Sequence, residues 1–178
     1  MKSLITLLSI CFPLILSAQF RQTTWAMDKN KIKEVETAEF VSESDHSLQY
    51  NTEVGDWEAI LTYYFDNGTY YQADYLLKIK HKNKNDYLED YFNIKEILSS
   101  TYGEPKLEND YEWIDEKHKD NRFFYGHAVS LGHLKLSNTI DNRNMLVKPE
   151  LSGGDGNIRF RISYVNPYFK KKKTKTGF

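Results

Sequence analysis

Apolar and polar positions alternate along much of this chain. From Trp57 the apolar set Trp57, Ala59, Leu61, Tyr63 and Phe65 is interleaved with Glu58, Ile60, Thr62 and Tyr64; from Tyr71 the set Tyr71, Ala73, Tyr75, Leu77 and Ile79 is interleaved with Gln72, Asp74, Leu76 and Lys78. Period two marks strands that bury one face. The turn Asp66-Asn67-Gly68 decides how the two strands pair. A two-residue Asn-Gly loop pairs Phe65 with Tyr70 and sends the apolar rows to opposite faces. A three-residue loop with Gly68 left-handed pairs Phe65 with Thr69 and unites them. The spacing predicts the longer loop, with Tyr63 opposite Tyr71, Leu61 opposite Ala73, Ala59 opposite Tyr75 and Trp57 opposite Leu77. Large side chains then meet small ones. In that register Tyr64 and Tyr70 pair on the other face, with Ile60 and Leu76 nearby.

Helical spacing appears twice. Asp28 is a good N-cap for a short helix to Glu36, with Met27 and Ile32 placed as a hydrophobic staple and Ile32 and Val35 on the buried face. From Asp86, the residues Leu88, Tyr91, Ile94 or Lys95, Leu98 and Tyr102 recur at three and four, and Gly103 and Pro105 stop the helix. A short strand within 47–54 precedes the hairpin, and strands are expected near 107–114, 132–139, 144–151 and 157–166. In the last, Ile158, Phe160, Ile162 and Tyr164 oppose Arg159, Arg161 and Ser163. A four-residue loop, Gly153-Gly154-Asp155-Gly156, would set Leu151 against Ile158, Pro149 against Phe160, Val147 against Ile162 and Met145 against Tyr164. Each half reads as a helix followed by antiparallel strands, the pattern a duplication would leave. The expected fold is α+β, two-layered, with one helix-plus-antiparallel-sheet unit over 19–82 and a second over 83–169.

The ends change the picture. One lysine, an apolar run from Leu4 to Leu16 and then Ser17-Ala18-Gln19 form the pattern of a secretory signal peptide (1–18) cut after Ala18. The run is shorter than the ~20 residues a membrane span needs. Export to a periplasmic or extracellular compartment is therefore expected. Cys11 is the only cysteine and Ile10 before it is bulky, which speaks against lipid attachment; cleavage leaves a chain without disulfides. Whole-chain charge is -1; losing Lys2 makes it -2, and setting aside the five tail lysines leaves a body at -7. An acidic body argues against nucleic acid as a partner. The basic tail (170–178), with Lys170, Lys171, Lys172, Lys173 and Lys175, could make weak contact with anionic surfaces, and otherwise reads as a solubilising end.

Trp25-Ala26-Met27-Asp28, with Ile32 and Glu36 following, is similar to the W-G-M-S/T-x-x-x-V-x-x-x-E start of many exported bacterial α/β proteins. Leu98-x3-Tyr102-Gly103-x-Pro105 resembles their helix end. Two families share these features: the small outer-membrane assembly lipoproteins of the SmpA/OmlA type, and the β-lactamase inhibitory protein, which repeats such a unit twice. Ala26 stands where glycine is usual, and the inhibitory protein's disulfides are absent. The resemblance implies helix-on-sheet packing and a protein-binding rather than catalytic role.

The chemistry-bearing residues add little to that. His46, His81, His118, His127 and His133 form no HxH or HExxH motif, and His127 and His133 stand too far apart to share a metal along one strand. Asp110, Glu112, Asp115, Glu116 and Asp120 lack calcium-loop spacing and read as a solvated hairpin loop. Ser152-Gly153-Gly154-Asp155-Gly156 lies between strands, where a phosphate cradle needs a helix to follow. Asn67-Gly68-Thr69 matches a glycosylation sequon, but the turn alone explains it. No catalytic residues, metal site or cofactor are expected. The 13 tyrosines and three tryptophans carry the functional expectation. If helices cover one side of the sheet only, Tyr64, Tyr70, Ile60 and Leu76 beside Arg159 and Arg161 form a face for a protein or peptide partner. The alternative is a small molecule or glycan in a cleft between the two units.

Overall fold

The computed structural model describes residues 20–169. The signal peptide expected at 1–18, Cys11 and the basic tail lie outside the described residues. Asp28 caps the first helix, α1 (Lys29–Val35), its carboxylate accepting a hydrogen bond from the Lys31 N–H at 3.0 Å. A helix this short is not stable alone; the fully buried Ile32 anchors it. Four strands follow, β1 (Glu39–Ser44), β2 (Ser47–Val54), β3 (Trp57–Asp66) and β4 (Thr69–Leu77). The second half runs α2 (Asp86–Tyr102), β5 (Tyr111–Trp113), two single 3-10 turns (Glu116–His118 and Arg122–Phe124), α3 (Tyr125–Ser130), β6 (Leu134–Ser137), β7 (Ile140–Asp141), β8 (Leu146–Gly154) and β9 (Asn157–Val165).

The fold is α+β, and its strands form one antiparallel sheet. Their order is β1-β2-β3-β4-β9-β8-β6-β5, with β7 beside β8. The last strand of each half meets at the centre: Ala73 pairs with Tyr164, Tyr75 with Ile162 and Leu77 with Phe160. Phe20 packs over this seam, its ring 4.4 Å from Tyr164, 5.5 Å from Tyr75 and 6.0 Å from Tyr63. Trp25 packs on Tyr70, ring centroids 4.7 Å apart, and donates its indole N–H to the Asn144 carbonyl, tying the first half to the second. Leu88, Tyr91, Ile94 and Leu98 of α2 are buried on the same side of the sheet.

Both hairpin registers differ from the sequence expectation. Asn67 and Gly68 both take positive φ (50° and 77°), which makes a two-residue loop with Asp66 opposite Thr69 and Phe65 opposite Tyr70. That should split the apolar rows, yet Tyr63 pairs with Ala73, Leu61 with Tyr75 and Ala59 with Leu77. A β-bulge resolves the conflict: Tyr71 is the extra residue, and the register shifts beside it. The final hairpin also uses a two-residue loop, Asp155-Gly156 (φ 52° and 82°), so Leu151 faces Phe160 and Val147 faces Tyr164. This shift of two residues keeps every side chain on its expected face.

Two elements escape the period rules, one because it buries nothing and the other because it is too short to show a period. All six residues of β1 are exposed, so no alternation marks it. α3 is six residues long and begins on Tyr125-Gly126, too short for a helical period. The strand order ends on β1 at one side and β5 at the other, whereas Phe20 makes only an isolated bridge with Thr23.

Candidate binding face

With α1, α2 and α3 packed on one side, the other side of the sheet carries the even-numbered residues of β3, those of β4 from Gln72 onward, and the odd-numbered residues of β9. Backbone pairing sets them in rows. One runs Asn51, Ile60, Leu76, Arg161, Glu150 across five strands. The next runs Gln49, Thr62, Asp74, Ser163, Lys148. A third runs Ser47, Tyr64, Gln72, Val165, Leu146. Ile60, Tyr64 and Leu76 are half-buried and Arg159 and Arg161 exposed, so five of the six expected residues share this face.

Tyr70 does not. Pairing with Phe65 and followed by the bulge, it faces the helices and is fully buried against Tyr63 (5.4 Å) and Trp25. Burial pushes its hydroxyl above the ordinary tyrosine range. The bulge instead carries Tyr71 to the open side. Its ring lies 6.5 Å from Tyr64 and stacks on Phe169 at 4.4 Å, with 15° between the planes. The aromatic group on the open face is therefore Tyr64, Tyr71 and Phe169, displaced toward the end of β9. A bulge leaves no mark in a period-two pattern, so only the surplus tyrosine hinted at it.

At the centre of the face lies an acid the sequence did not single out. Asp74 is 4 % exposed, beside the also buried Thr62. Its Oδ1 accepts a hydrogen bond from Gln72 Nε2 at 2.8 Å, and Arg161 Nε lies 3.7 Å from Oδ2. Burial raises its pKa, opposed by the bonds from Gln72 and Ser163 and by the Arg161 charge. Burial, with Asp74 close by, also raises the Tyr64 hydroxyl. The outer rows are screened ion pairs, Lys135 with Glu150 at 3.0 Å and with Glu112 at 3.8 Å, and Lys78 with Glu58 at 3.7 Å. Apolar and aromatic surface thus surrounds a shielded Asp–Arg contact, with ion pairs toward the rim.

Other candidates resolve into structure. Asp110, expected in a solvated loop, is buried and accepts from Tyr91 (3.3 Å), Asn138 (2.5 Å) and Lys95. Glu36 is its counterpart in the first half: its carboxylate accepts from Arg21 at 2.7 Å, Tyr63 at 2.5 Å and the Ala38 N–H at 2.9 Å. His127 sits in α3 and His133 in the turn before β6, not along one strand. His81 Nε2 lies 2.6 Å from Asp90. No group of three or more His, Cys, Asp or Glu among the described residues is placed to hold a metal ion. Gly153 serves packing: a Cβ there would lie 2.2 Å from the Val129 carbonyl oxygen of α3. On the helix side, Phe20 packs on Tyr75 and Tyr164 where the two halves meet.

No helix among the described residues is long and apolar enough to cross a membrane. Comparison with known proteins found no matching family model, no matching curated protein and no matching solved structure.

Proposed function

We propose that this chain is an exported, noncatalytic envelope protein that binds a protein or peptide partner through the open face of its sheet. One observation carries the reading: the helices pack on one side only, leaving Ile60, Leu76 and the Tyr64–Tyr71–Phe169 group on the other, around the Asp74–Arg161 contact. Buried carboxylates elsewhere support a noncatalytic role, because Glu36 and Asp110 are already held by structural partners. Export rests on the leader pattern ending at Ala18.

Site-specific photo-crosslinking in the native host tests this. A crosslinking residue at Leu76 or Tyr64 should trap one discrete partner, and the same residue at Ile97, exposed on α2, should not. Equal crosslinking from both positions, or capture from Leu76 that persists when Ile60→Arg is added, would sink the proposal.

A further inference from the structure

The second feature lies at the sheet's edge, on the helix side and away from the open face. β1 ends the strand order, and no strand among the described residues pairs with its outer edge. Exposed strand edges are usually guarded by lysine or proline. The sequence of β1, Glu-Phe-Val-Ser-Glu-Ser, has neither, and leaves Phe40 52 % and Val41 47 % exposed. Its guards are the charges of Glu39 and Glu43 and a bulge between Phe40 and Ser42.

Behind this edge, between α1 and the sheet, is a cavity of about 270 Å³ lined by Lys33, Glu36, Ala38, Phe40 and Tyr50. Phe40 and Tyr50 pair across β1 and β2, with rings 5.7 Å apart and nearly perpendicular (77°). Tyr50 is 3 % exposed, yet its hydroxyl has no hydrogen-bond partner among the described residues. A buried hydroxyl left unpaired is costly, which marks a place where a partner atom belongs. Burial, followed by the nearby carboxylates of Glu36 and Glu43, raises the Tyr50 pKa. Lys33 is engaged by Glu43, and Lys29 donates to the Ser44 carbonyl at 2.5 Å.

We infer that β1 accepts an extended, basic peptide segment as an added strand, and that one lysine of that segment enters the cavity between Phe40 and Tyr50. Strand addition supplies backbone bonds to the open edge, and alternate side chains of the added strand fall on the helix side, where the cavity lies. A lysine ammonium donates to the Tyr50 hydroxyl oxygen and packs against two aromatic faces. The charge selects for it: Glu43 is taken up by Lys29 and Lys33, but Glu39 at the start of β1 and Asp45 in the turn after it form no ion pair among the described residues, and β1 has no basic residue of its own. A second copy of the chain is a poor occupant, since antiparallel self-pairing about Val41 would set Glu39 against Glu43.

The test uses the chain from Gln19 to Phe178 and a capped heptapeptide alternating threonine and lysine, with a counterpart carrying glutamate for lysine and a third N-methylated at alternate residues. The lysine peptide should bind and slow hydrogen exchange across Glu39–Ser44, and the other two should not. Tyr50→Phe should keep the fold and its melting temperature while weakening the peptide about tenfold, the loss of one charge-assisted bond. Phe40→Ala should weaken it also. No binding by the lysine peptide, equal binding by the glutamate or N-methylated peptide, or full affinity in Tyr50→Phe would overturn the inference. So would protection of Ile60, Leu76 and Arg161 in place of β1, a result that would leave the open-face reading standing. Concentration-dependent dimerisation that protects β1 without peptide would replace the basic segment by a second copy.

Discussion

Tyr71 stacks on Phe169, ring centroids 4.4 Å apart and planes 15° from parallel, because a bulge in β4 turns Tyr71 out of the register of its neighbours. One extra residue thereby exchanges two adjacent tyrosines: Tyr70 goes to the core and Tyr71 to the open face. Replacing each by alanine should separate stability from binding. Tyr70→Ala is expected to lower the unfolding free energy by about 3–5 kcal/mol, as for other large buried aromatics. Tyr71→Ala with Tyr64→Ala should cost far less in denaturant unfolding, yet abolish crosslinking from Leu76. Equal destabilisation by the two sets would refute the assignment of faces.

Asp74 should leave a signature in pH. Because burial raises its folded-state pKa, the folded protein holds that proton to higher pH than the unfolded chain does. Its contribution to stability therefore falls as pH rises from the ordinary aspartate value through the raised one, and the penalty is fully present above it. Asp74→Asn keeps an acceptor for Gln72 and removes the charge. Urea unfolding should show the variant more stable than wild type at about pH 7, with the difference shrinking toward zero under acid conditions. A variant less stable than wild type at neutral pH would show that Arg161 outweighs the burial.

The glycines of the last hairpin make a matched pair. Gly153→Ala drives a methyl group into the Val129 carbonyl of α3, and should destabilise by about 1–3 kcal/mol. Gly154→Ala meets nothing within 4 Å and should change the melting temperature little. Similar melting curves for both would mean that α3 and the Asn157 carbonyl, 2.5 Å from the same Cβ, both give way.

Glu36→Ala removes the acceptor shared by Arg21, Tyr63 and the Ala38 N–H, and should lower stability by about 2–4 kcal/mol. Glu34→Ala, on the exposed side of the same helix, should stay within about 0.5 kcal/mol. Chemical denaturation of the two variants distinguishes an anchoring carboxylate from ordinary helix surface charge.

The residues themselves determined the α+β class, the cap at Asp28, the α2 face of Leu88, Tyr91, Ile94 and Leu98, and which rows of β3, β8, β9 and, from Ala73 onward, β4 are buried. These are local: a side chain's face follows from its neighbours at two, three or four positions. Tertiary structure alone decided the rest. Whether Asn67-Gly68 makes a short loop with a bulge or a longer loop without one depends on which solution packs Tyr70 under Trp25, a contact across 45 residues of chain. Likewise Asp74 is an ordinary polar position in sequence, shielded only because β9 brings Arg161 and Ser163 beside it. β1 is invisible for the complementary reason: an edge strand that buries nothing leaves no periodic trace, and its existence comes from hydrogen bonds to β2.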